Sequence, residues 1–100
     1  MNDLPIACSL LPAELQARRL SVLSKVRAAV SSVTELDDGF VYSFPSDREL
    51  IPEIANLIQL EHRCCPFLTF RLTVESGNGL VLLELRGPEG TKEFLNGVFS

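Results

Sequence analysis

The sequence predicts an α+β domain, a mainly antiparallel sheet with helices packed on one face, built in the order β-α-β-β-α-β-β-α over residues 1–100. Three observations predict it. Apolar residues recur at helical spacing in two stretches: Leu15, Val22, Val26 and Ala29, then Leu50, Ile54, Leu57 and Ile58. Between and after them, apolar and polar residues alternate with the period of half-buried strands. Two turn sequences, Asp37-Asp38-Gly39 and Ser76-Gly77-Asn78-Gly79, each separate a pair of such runs, which is how hairpins are written. Hairpins interleaved with helices imply antiparallel pairing and one helix-covered face.

Ile6 to Leu10, a short apolar run containing Cys8, reads as a first strand. Pro12 suits the first position of a helix, where its missing N–H costs nothing, and Glu14 follows in the first turn, where negative charge suits the dipole. That helix is expected to run to about Ala29. Val33 to Leu36 and Phe40 to Phe44 form the first hairpin, with Gly39 expected to supply positive φ. Phe40, Tyr42 and Phe44 then share one face.

Ser46-Asp47-Arg48-Glu49 has the pattern of a capping box for the second helix. Pro52 conflicts with it, because it falls just inside and removes a bond; the helix begins either at Asp47 or in earnest near Pro52. Pro66 ends it, since the residue before a proline is driven out of the helical region. Leu68, Phe70, Leu72 and Val74 alternate with Thr69, Arg71, Thr73 and Glu75 as a half-buried strand. Leu80 to Arg86 returns, with Val81, Leu83 and Leu85 on one face, and Gly87-Pro88 breaks it. Phe94, Leu95, Val98 and Phe99 predict a short terminal helix docked on the sheet. A sheet of this kind leaves an open face or edge, which a homodimer would cover.

Composition excludes several classes of function. The net charge of −4 carries no electrostatic footprint for nucleic acid. Arg18, Arg19, Lys25 and Arg27 gather along the first helix, and read as a solvated face rather than a phosphate contact. No apolar run reaches the ~18 residues of a membrane span, and Met1-Asn2-Asp3-Leu4-Pro5 lacks the charged and apolar regions of a secretory signal. The expected location is cytoplasmic, where the three cysteines would be thiols.

Chemistry concentrates in Glu61-His62-Arg63-Cys64-Cys65-Pro66-Phe67, which holds the sole histidine and two of the three cysteines. On a helical wheel Cys65 falls within the stripe of Leu50, Ile54 and Ile58, Cys64 on its flank beside Leu57, and Glu61 between the two thiols. A carboxylate aimed at the core must be paired, protonated or ligating. Arg18 or Arg19 would be its partner; otherwise the helix end frays and Glu61 reaches solvent. Nucleophilic catalysis is disfavoured, because a helix C-terminus opposes a thiolate and no second histidine or asparagine completes a triad. An enzyme is therefore not the expected class.

Adjacent thiols fit a tetrahedral Zn site poorly, and no C-x-x-C pair is present. Soft ions of low coordination number, such as Cu(I), Hg(II) or As(III), ask less of the geometry. Cys8 would supply a third sulfur if its strand runs beside the second helix, with His62 or Glu61 as a further ligand. Against this stands packing: buried cysteine often acts as a small hydrophobe, and the aromatics Phe40, Tyr42, Phe44, Phe67 and Phe70 either line an apolar pocket or fill the core.

The run Glu61 to Phe70, with Leu83-Glu84-Leu85, Gly87-Pro88-Glu89-Gly90 and the upstream Cys8-Ser9-Leu10, resembles a small bacterial family carrying an E-x-x-C-C-P-F motif. Similar domains occur fused to MerR-type metal-responsive regulators or beside mercury-resistance functions. The resemblance implies a thiophilic-metal role for Cys8, Cys64 and Cys65. These 100 residues contain no DNA-binding region, so a regulator's activity does not carry over. The expectation is thus an accessory protein that binds a soft metal or metalloid. The alternative is a non-catalytic dimeric interaction module, or small-molecule-binding module, with structural cysteines.

Overall fold

A computed structural model describes residues 12–99 of the chain, with side chains to residue 98. Seven elements follow in order: α1 (Ala13–Ala29), β1 (Ser32–Leu36), β2 (Gly39–Phe44), α2 (Leu50–Cys64), β3 (Thr69–Val74), β4 (Val81–Arg86) and α3 (Thr91–Phe99). The fold is α+β, as the periodicity predicts. The strand expected over Ile6 to Leu10, and Cys8 with it, lies outside the described residues.

The four strands form one antiparallel sheet in the order β1-β2-β4-β3. β2 and β3 are therefore parallel to each other with β4 between them, and α2 is the crossover, a split β-α-β arrangement. Register fixes the two faces. Phe40, Leu85 and Phe70 stand in one row, and Tyr42, Leu83 and Leu72 in the next. Phe40, Tyr42, Phe44, Val81, Leu83 and Leu85 are buried against Val22, Leu23 and Val26 of α1, Ile54, Leu57 and Leu60 of α2, and Leu95 of α3. All three helices thus cover the same face. Each fully buried aliphatic or aromatic side chain contributes about 1.5–3 kcal/mol. The opposite face carries Thr69, Arg71, Thr73, Glu84 and Arg86, with Glu84 bridging Arg71 and Arg86.

Two local expectations are corrected. Gly39 does not have positive φ, and among the described residues no non-glycine residue has it either. The first hairpin turns through Asp37-Asp38, and Gly39 opens β2, where a Cβ would stand 1.8 Å from the Leu85 carbonyl oxygen. Glycine is needed there for close approach rather than for left-handed backbone. The capping box is also not realised. Asp47 Oδ1 accepts from the Glu49 N–H at 2.9 Å, the Asp47 carbonyl accepts from the Leu50 N–H, and α2 starts at Leu50. Pro52 is then the third helical residue. Its absent N–H is one that no helix bonds at that position, which removes the conflict with the capping box. Gly77 and Gly79, at φ 81° and 68°, do serve the second turn as left-handed residues.

Candidate functional site

α2 ends where β3 is about to begin, and that corner gathers the polar core. The buried stripe of α2 runs Ile54, Leu57, Leu60, Glu61, Cys64, so Glu61 does point inward. The helix stops at Cys64; Cys65 leaves it with φ −125° and ψ 74°, outside the helical region that a following proline disfavours. Its carbonyl then accepts from the Leu68 N–H at 3.1 Å, a turn that folds Phe67 and Leu68 back into the core. Phe67 meets Phe94 of α3 edge-on at 5.0 Å.

Glu61 does not fray into solvent. It is 3 % exposed, and Arg19 of α1, 7 % exposed, grips both its carboxylate oxygens. One contact runs from Nε to Oε2 and the other from Nη2 to Oε1 at 3.1 Å. Such a two-pronged pair satisfies charge and geometry together. Burial alone would lower the Arg19 pKa, but the hydrogen bond and charge of Glu61 outweigh it and hold the guanidinium above its ordinary value. Of the two arginines the sequence offers as partners, it is Arg19 that packs inward; Arg18 is exposed. Arg19 lies on the same stripe as Leu15, Val22 and Val26, a placement the helical spacing already contains.

Cys65 is fully buried and its Sγ donates to Glu61 Oε1 at 3.7 Å. Its thiol is pushed up to about 12, first by burial, then by the Glu61 charge and the hydrogen bond to it, against the opposing pull of Arg19. Cys64, also buried, is disulfide-bonded. The expectation of three thiols is thereby corrected. Cys65 is a thiol, but Cys64 is disulfide-bonded.

The structure therefore brings Arg19, Glu61 and Cys65 into one hydrogen-bonded chain with Cys64 beside it. It leaves His62 on the exposed side of α2, where its ring meets Phe70 edge-on at 6.5 Å. Among the described residues no group of three or more His, Cys, Asp or Glu side chains is arranged to hold a metal. No helix is long and apolar enough to cross a membrane. The aromatics of β2 belong to the core.

Fold and site together define a small α+β domain with a buried guanidinium–carboxylate–thiol chain ending beside a second sulfur. Compared with protein-family models, curated proteins and solved structures, the chain gives no match.

Proposed function

We propose that the Cys64–Cys65 corner is a soft-ion site that opens when the Cys64 disulfide is reduced, the chain acting as a thiophilic metal or metalloid binding accessory protein. The observation that carries this reading is the juxtaposition of two neighbouring sulfurs with a carboxylate, 3.7 Å from one of them. Reduction by a dithiol adds two electrons and two protons and returns Cys64 to a thiol. A divalent soft ion then forms two metal–sulfur bonds and releases two protons. Both protons pass to solvent, and Glu61, which accepts the Cys65 S–H hydrogen bond, stays beside the site as a paired carboxylate. Cys8 is the proposed third sulfur, with Glu61 a candidate oxygen ligand; His62, exposed, is the weakest member of the proposed set. Burial pushes the Cys65 thiol up to about 12, so its displacement by an ion demands strong affinity for sulfur. That favours Hg(II), Cu(I) or As(III) over harder ions. The resemblance to E-x-x-C-C-P-F proteins points the same way.

Titration of the reduced chain with Hg(II), followed by thiolate-to-metal charge-transfer absorption, tests it. One ion per chain should saturate the signal, and Cys64→Ser or Cys65→Ser should abolish it. Unchanged affinity in both variants refutes the reading.

A second reading is favoured by one observation, the complete burial of Cys65. In it the cysteines are packing, and the chain is a dimeric interaction module that presents its edge strands, with exposed Val33 and Val74. It predicts a concentration-dependent dimer in sedimentation and no stoichiometric Hg(II) uptake by the folded chain.

A further inference from the structure

The geometry points to a second, separate site: the groove between α1 and α2 binds a small amphipathic carboxylate, an acid group on an apolar body. The groove encloses about 360 Å³, at the small end for ligand pockets. Leu15 and Leu60, the one half-buried and the other buried, give it an apolar surface. Arg18 and Arg63 flank them from the two helices, with His62 beside Arg63. Asn56 and Gln59 add amide donors and acceptors. Among the described residues no carboxylate lines the groove.

Three further observations make this more than a solvated face. The chain as a whole is acidic, with a net charge of −4, so two arginines meeting over one depression are a local reversal of sign. Neither arginine is spent elsewhere: among the described residues, the ion pairs are made by Arg19, Arg71, Arg86 and Lys92. The two helices are also fixed relative to each other by the Arg19–Glu61 pair, one residue along from Arg18 and His62. The groove walls are therefore positioned by a buried contact, while the cationic heads stay exposed to meet a ligand. Guanidinium forks match a carboxylate in two-pronged fashion, and the apolar body of the ligand meets Leu15 and Leu60. This site shares His62 but no sulfur with the one proposed above, and Arg18 and Arg63, which carry it, take no part in that one.

The test is a chemical-shift titration of the ¹⁵N-labelled chain with 3-phenylpropionate, 3-phenylpropionamide and inorganic phosphate at physiological ionic strength. Phenylpropionate should saturate shifts confined to the facing turns of α1 and α2, and the uncharged amide should bind about tenfold more weakly. Arg18→Gln and Arg63→Gln should each weaken phenylpropionate about three- to tenfold. Arg71→Gln, an equal change in net charge on an exposed side chain of β3, should leave it unchanged. These exposed positions allow the fold to be confirmed by matching spectra. Equal binding of acid and amide, phosphate binding as well as phenylpropionate, or the same loss from Arg71→Gln as from Arg18→Gln each overturns the inference.

Discussion

Glu61 carries a buried carboxylate, and it is stable there because Arg19 brings the opposite charge and two donors. Removing one member strands the other. Glu61→Leu should cost about 3–5 kcal/mol in urea unfolding, because a guanidinium is left buried and uncompensated. Arg19→Met combined with Glu61→Leu should recover most of that, since the hydrocarbon replacement removes both desolvation costs. A double variant no more stable than Glu61→Leu would show that the pair is not the source of the loss. Cys65 gives a pH signature. Its thiol rises from the ordinary 9.0 to about 12 in the fold, so the native chain holds that proton more tightly than the unfolded chain does. The contribution is whole below pH 9 and drains away as pH climbs toward 12. Tyr42, raised by burial from 10.0 to about 12, adds the same trend at the upper end. Thermal melts at rising pH should therefore fall more steeply for the native sequence than for Cys65→Ser. Parallel curves would mean that the buried thiol proton adds nothing.

Among the elements, the two hairpins show what local sequence can and cannot say. Both were legible, because each sits between apolar runs and each turn is short. The role of Gly39 was not, because its constraint is a carbonyl on β4, more than 40 residues away in sequence. Gly39→Ala should force β2 away from Leu85 and cost at least about 1–3 kcal/mol by overpacking. The same substitution at Gly77, where nothing lies within 4 Å, pays only for its φ of 81°. Equal losses in chemical denaturation would contradict that assignment. Pro52 and the unused capping box teach the complementary lesson. The proline fixes where the helix can start, and the polar residues before it then settle into a turn closed by Asp47 instead.

For the whole molecule, the strand order β1-β2-β4-β3 puts the two strands richest in buried side chains at the centre. β4 is apolar at Val81, Leu82, Leu83 and Leu85, and β2 at Phe40, Val41, Tyr42 and Phe44, so these two meet in the centre. β1 and β3, rich in Ser, Thr and charge, take the edges. That comparison is available in the sequence, although pairing between hairpins is long-range and periodicity does not reveal it. The site was legible as far as Glu61 and Cys65, because helical spacing alone points Glu61 inward. The oxidation of Cys64 was not, since thiols carry no sequence mark of their redox state. Denatured without reductant, the chain should label at Cys65 and escape labelling at Cys64; alkylation of both would contradict the disulfide. The central claim, that reduction turns this corner into a soft-ion site, is tested most directly by X-ray absorption at the mercury edge on the reduced chain loaded with one Hg(II). The account predicts a first shell of two or three sulfur atoms that loses one sulfur in Cys65→Ser. A shell of nitrogen and oxygen alone, or one unaltered by that substitution, would contradict it.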